Sequence, residues 1–365
     1  MVRIALLLSL IVICCVAFAG PAQVIRSNDS AVINGVPIIS WAAGGKDCTF
    51  AGALEAALAV TDHPYKYSDI MGYSGMAFRT RWWRWDKTPS WDPSMAVGEF
   101  AAEIEATRKA TGWQLRYELG PDKTPHMERF LPAIMKSIDA GLPVLGYPPH
   151  LNMAVIYGYE KGGKTLLLRD YFEGRRTLRL EPEKLGPMLI FLDKWTPPPA
   201  RRDALTASLK IAVANWKRER GPGNRGPYWY GDAALKHWRE DLASAGKLTD
   251  PQRDNLFFVD WWNYEAFANA RDQAVTFLQD SAGVCEGRSR EALARAAGFY
   301  AGEAQLQKTA FASPQAFLGP WTGKSVKDWS EDTRTRERDI LAQAQHLEAQ
   351  AVSELEKVLT NLKAK

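Results

Sequence analysis

Two sets of residues have the types and spacing for nucleophilic acyl chemistry. Cys48 opens a segment, Cys48 to Val60, in which Phe50, Ala53, Leu54, Ala57 and Leu58 recur at helical spacing. A thiol in the first turn of a helix sits at the positive end of the macrodipole, beside backbone N–H groups that lack an intrahelical acceptor. Both favour the thiolate, which is the nucleophilic form. Lys46 adds to that effect and Asp47 opposes it, while Asp47 also has the residue type of an N-cap. The alternative is a buried or disulfide-bonded cysteine.

The second set is Pro149-His150-Leu151-Asn152-Met153-Ala154-Val155, followed after a Glu160-Lys161-Gly162-Gly163 turn by Asp170. Residues two apart on a strand share a face, so His150 and Asn152 are expected to point the same way. An imidazole on one strand, oriented by a carboxylate on its neighbour, is what a Cys–His hydrolase needs. The alternative is that His150, beside two prolines, is an ordinary loop residue. A third cluster, Trp82, Trp83, Trp85 and Trp91 interleaved with Arg79, Arg81 and Arg84, has aromatic faces suited to a sugar, an acyl chain or a peptide. The same composition also fits a packed structural loop. Trp82, Trp83, Arg79 and Tyr171, the last directly after Asp170, are the candidate substrate-binding residues. Core packing is the expected role of Trp216, Trp229, Trp238, Trp261 and Trp262, which fall on helical segments.

Other chemistries find no support. There is no Cys-x-x-Cys, no His-Glu-x-x-His and no close cluster of metal ligands, so neither a metal nor a cofactor is expected. Gly323-Lys324-Ser325 resembles the end of a phosphate loop, but Leu318 stands where its first glycine belongs. A net charge of +4 over 365 residues is too nearly balanced for a polybasic nucleic-acid binder.

The elements that must position these residues follow from the pattern along the chain. Arg3, the apolar run Ile4 to Val16 and Ala17-Phe18-Ala19 read as a secretory signal cleaved after Ala19, with an uncleaved anchor as the alternative. The run is shorter than the roughly 20 residues of a spanning helix. A secreted or periplasmic location, with no membrane span after cleavage, is the expectation. Cleavage removes Cys14 and Cys15 and leaves Cys48 and Cys285, which are expected to be unpaired because they fall in separate predicted domains.

Residues 20–47 read as an extended lead-in. Helices are expected over 48–60, 95–111 and 126–140, with an ordered loop over 82–93. Strands are expected over 143–147, 152–159, 165–170, 177–180 and 188–192. Pro197-Pro198-Pro199 marks a boundary. Beyond it, helices are expected over 203–219, 228–244, 250–281, 287–310 and 332–363. The expected organisation is a signal over 1–19, an α+β domain over 20–195, a Pro-rich linker over 196–202 and an all-α domain over 203–365.

Cys48-Thr49-Phe50-Ala51-Gly52-Ala53-Leu54 resembles the nucleophile helix of papain-like bacterial proteins, including the leader-processing peptidases of bacteriocin exporters. Ser68-Asp69-Ile70-Met71-Gly72-Tyr73-Ser74-Gly75-Met76-Ala77-Phe78 is similar to the N-terminal domain of the butirosin biosynthesis acyltransferase family. Gly141-Leu142-Pro143-Val144, Met153-Ala154-Val155-Ile156-Tyr157-Gly158-Tyr159 and Arg169-Asp170 resemble that superfamily's His-strand and Asp-strand. The resemblance covers roughly residues 36–192. It implies a papain-like fold and a cysteine hydrolase or acyltransferase acting on an amide or thioester. Cys48 would attack, His150 would move the proton, Asp170 would orient His150, and Asn152 or backbone N–H groups would polarise the carbonyl. Two positions depart from the pattern. Asn152 stands where the family's catalytic His is expected, and Ala42 where a Gln often completes the oxyanion hole. His150 would have to act from about 6.5 Å further along the strand. The competing expectation is a non-catalytic protein that uses the same cleft to bind a peptide or glycan.

Overall fold

The computed structural model describes residues 23–41, 46–83, 100–119, 127–150, 152–172, 176–186, 188–218, 228–311 and 325–363. The signal segment with Cys14 and Cys15, Ala42, Arg84, Trp85, Trp91 and Gly323-Lys324 lie outside the described residues.

A mixed α+β region comes first, and a predominantly helical region follows. The first contains β1 (Val24–Arg26), β2 (Ala31–Ile33), α1 (Thr49–Leu58), α2 (Tyr67–Ser74), β3 (Arg81–Trp83), α3 (Phe100–Thr111), β4 (Trp113–Leu119), α4 (Met127–Asp139), β5 (Val144–Gly146), β6 (Ala154–Glu160), β7 (Thr165–Arg169), β8 (Leu178–Leu180) and β9 (Met188–Trp195). The second contains α5 (Arg201–Lys217), β10 (Tyr228–Tyr230), α6 (Gly231–Ser244), α7 (Asp250–Asp280), α8 (Gly287–Phe311) and α9 (Glu331–Lys363). Pro197 to Pro199 stand between β9 and α5, where a missing N–H and a fixed φ suit neither ladder nor helix.

The main sheet is antiparallel and turns on β6. β5 pairs with its first half, β2 with its second, and β7 runs along nearly its whole length. β9 lies between β5 and β4, and β8 extends the sheet beyond β7. Residues 154–159 of β6 are all buried, as expected of a central strand covered on both faces. α1 packs against β5 and β6, and its first residue, Thr49, bonds Met153 just before β6.

The two regions share one continuous apolar core. β3 pairs with β10 in a separate two-stranded ribbon, Trp82 opposite Trp229. α2 packs against α7 so closely that a Cβ on Gly72 would fall 2.1 Å from the Phe277 ring. Arg271 of α7, fully buried, pairs with Glu303 at 3.0 Å and with Glu348, and donates to the carbonyl of Ala77 at 3.0 Å. Because its partners come from α8, α9 and the turn after α2, it ties the helices to the site-bearing region.

The aromatic cluster takes a different form from the expected loop. Trp82 and Trp83 belong to β3, and Trp82 is 1% exposed, stacked at 4.8 Å on Trp238 with its indole N–H donating to Asp241 at 2.7 Å. Arg79 is also interior, ion-paired with Glu103. Trp83 is half-buried near Tyr228. Trp229, Trp238 and Trp261 are buried, while Trp216 and Trp262 are half-buried. Cys48 and Cys285 are both free thiols.

Candidate active site

Cys48 is the N-cap of α1, a place expected of Asp47, and makes no side-chain capping bond. Its carbonyl accepts the first helical N–H, from Gly52, at 3.0 Å. Its own N–H donates to the Tyr67 hydroxyl at 3.0 Å, and that hydroxyl donates to Asn269 Oδ1 at 2.8 Å. The thiol is half-buried and donates to Met76 Sδ at 3.6 Å. Asp47, Cys48, Met71, Met76, Arg79, Ala266, Asn269 and Ala270 enclose a cavity of about 20 Å³, room for about one water molecule.

The electrostatics of the thiol differ from the expected balance. Burial raises its pKa above the ordinary value and outweighs the opposing influences. Those are the backbone N–H groups of Ala51 and Phe50 and the Arg79 guanidinium, with Asp47 adding to the rise. The resting group is therefore a thiol. Lys46, expected to help the thiolate, is committed to Glu55 in an ion pair, and the nearby cation acting on sulfur is Arg79. Burial also pushes Asp47 up to about 7, with Glu265 and Asp272 of α7 contributing.

His150 and Asn152 are not on a strand. Both lie in the loop before β6, which starts at Ala154, because Pro148 and Pro149 keep the chain out of the ladder. They are linked in another way: the Asn152 N–H donates to His150 Nδ1 at 3.2 Å. On the other side of the ring, His150 Nε2 meets Asp170 Oδ2 at 2.7 Å. Together these contacts assign the neutral ring a proton on Nε2 and leave Nδ1 as the acceptor. Asp170 is 1% exposed, and its other oxygen accepts the Phe172 N–H at 2.7 Å, so the carboxylate is held in place beside β7.

One contact joins this loop to α1. Met153 N–H donates to Thr49 Oγ1 at 3.1 Å. Cys48 and Asn152 are the residues immediately preceding that bonded pair. Tyr171 is buried, donates to the Lys46 carbonyl at 3.3 Å and covers the first turn of α1 so tightly that a Cβ on Gly52 would lie 1.9 Å from its hydroxyl. The exposed rings are its neighbours. Phe172, 61% exposed, meets His150 edge-on at 4.9 Å and Trp41, 39% exposed, at 6.4 Å.

The structure thus brings Cys48, Asn152, His150, Asp170 and Tyr171 to one end of the sheet, with Arg79 behind the thiol. Trp82 and Trp83 lie in the β3–β10 ribbon. Tyr67, Met76, Asn269, Trp41 and Phe172 were not singled out by sequence. Only Phe172, two residues beyond Asp170, had a positional signal. Among the described residues no group of three or more His, Cys, Asp or Glu could hold a metal ion, and no helix is long and apolar enough to cross a membrane. No family model matches the chain, and no curated protein matches it.

Proposed function

We propose that this protein is a papain-like cysteine enzyme, a hydrolase or acyltransferase that acts on an amide or thioester through Cys48. The observation that carries the reading is the His150–Asp170 pair, 2.7 Å apart with the carboxylate buried, on a loop hydrogen-bonded to the first residue of the helix that Cys48 caps. Asp170 holds the ring with Nδ1 unprotonated, the nitrogen that would take a proton from the thiol once its hydrogen bond from the Asn152 N–H is released.

In the forward step the sulfur attacks the carbonyl carbon while its proton passes to His150. The tetrahedral oxyanion is met by Asn152 or by backbone N–H groups, and collapse expels an amine or thiol that takes the proton back. Water or an acceptor amine or alcohol then receives the acyl group. A peptide, acyl or glycan-bearing substrate fits the exposed Trp41 and Phe172 rings beside His150. Secretion, on the strength of the N-terminal segment, belongs to the same proposal.

A second reading, a non-catalytic peptide- or glycan-binding protein, is favoured by two contacts: the thiol donates to Met76 and His150 Nδ1 accepts from its own loop. The pH dependence of Cys48 alkylation by iodoacetamide separates the two. A catalytic pair predicts that His150→Ala slows Cys48 alkylation and changes its pH profile. A profile that rises only with an isolated thiol and ignores the substitution supports the binding protein.

A further inference from the structure

We propose that the helical region is part of the nucleophile's machinery, with Asn269 of α7 positioning Cys48 through the Tyr67 hydroxyl. This inference rests on the reading of Cys48 as the nucleophile.

In a capping box, an N-cap residue's own N–H is met by the side chain three positions into the helix. Here that position is Ala51, which carries no acceptor. The acceptor is instead the Tyr67 oxygen at 3.0 Å, at the start of α2. A tyrosine hydroxyl that accepts one bond still has a proton to place, and in a buried site it needs a partner. Asn269 Oδ1 takes that proton at 2.8 Å, some 200 residues along the chain and from the middle of α7. Asn269 also lines the small cavity behind the sulfur, with Ala266 and Ala270 of the same helix.

The neighbouring contacts hold this relay in register. The Tyr67 N–H donates to Glu55 Oε1 at 3.1 Å, tying the start of α2 to the middle of α1. Burial keeps the Tyr67 hydroxyl far above its ordinary pKa, so it stays protonated across the working range. α7 is in turn fixed to the turn after α2 by Arg271, which donates to the Ala77 and Arg79 carbonyls at 3.0 and 3.3 Å. The orientation of the first turn of α1 is therefore set from α7. On that turn depend the Ala51 and Phe50 N–H groups, which favour the thiolate.

The test is the pH–rate profile of Cys48 alkylation in the full chain, read by peptide mass spectrometry, for Tyr67→Phe, Asn269→Leu and the double variant. Cys285, 1% exposed, reports unfolding in the same sample, because it labels only when the core opens. With Cys285 protected, each single variant is expected to move the Cys48 midpoint upward and slow labelling at pH 7 by about three- to tenfold, the scale of one hydrogen bond. The double variant is expected to match Tyr67→Phe alone, since Asn269 acts through that hydroxyl. Should Asn269→Leu open the core, Tyr67→Phe, which removes one oxygen and keeps the ring, still decides. An unmoved midpoint in Tyr67→Phe overturns the inference, as do additive effects in the double variant. His150→Ala, run alongside, reports on the catalytic reading separately: a response to His150→Ala without one to Tyr67→Phe leaves that reading standing and removes this one.

Discussion

Replacing Asp47 by Asn removes the ionisable side chain adjacent to Cys48 and changes both stability and thiol reactivity in calculable directions. Burial pushes the Asp47 carboxyl up from 3.8 to about 7, and Glu265 and Asp272 on α7 add to the rise. The folded chain therefore binds a proton that the unfolded chain has released between those two values. By linkage, the stability associated with Asp47 is full below about pH 4 and is lost as pH rises to about 7, flattening above it. The gap corresponds to at most about 4 kcal/mol, and partial solvent contact reduces it to about 1–3 kcal/mol.

Asp47→Asn cannot ionise, so its stability should not follow that decline. Urea unfolding of both proteins from pH 4 to pH 8 isolates the effect, because the other titrating groups cancel in the difference. The variant should gain about 1–3 kcal/mol over the native protein across that range, nearly all of it below pH 7.5. The midpoint of Cys48 alkylation should fall as well, because a negative charge that opposes the thiolate is gone. Stability curves that stay parallel from pH 4 to pH 8 would refute the burial assigned to Asp47 and its electrostatic link to α7.

Arg271→Met should cost about 3–5 kcal/mol, because it leaves Glu303 and Glu348 buried without their cation. The loss, followed by thermal unfolding, should be smaller at pH 5 than at pH 8, as protonation relieves Glu303, whose carboxyl is pushed up by burial and by the neighbouring Glu348. Asn152→His should place an imidazole at the position next to the Met153–Thr49 bond, and each unit by which it lowers the thiol's midpoint speeds alkylation at pH 7 about tenfold.

Much of the scaffold was legible because its signals are local. The helical segments of the second region emerge within a few residues of their expected limits, since apolar spacing runs through them and Thr249 and Gly287 mark the starts of α7 and α8. The His150–Asp170 pair was legible too, because a short hairpin returns the chain beside itself and places the two residues together whatever the detailed strand limits. The β1–β2 hairpin was not, since each strand has only three residues. Nor was the β3–β10 ribbon, whose partners lie far apart in sequence and whose tryptophans resemble a binding surface until Trp238 is seen stacked on Trp82. The charge balance at Cys48 was misjudged for a related reason. Adjacency in sequence pointed to Lys46, but Glu55, nine residues along, claims it, and the fold supplies Arg79 instead. Asn269 carries no signal at all in its own segment, and its meaning comes only from the packing of α7 on α2.

The most direct test of Cys48 as an acyl-accepting nucleophile served by His150 is intact-mass measurement after brief exposure to a simple acyl thioester at pH 7. The account predicts a single acyl adduct mapped to Cys48. It should be absent in Cys48→Ala, form more slowly in His150→Ala by at least about tenfold, and disappear with time as water or an added amine takes the acyl group. An unmodified Cys48 under conditions that acylate a free thiol, or an adduct that forms at the same rate without His150, would contradict it.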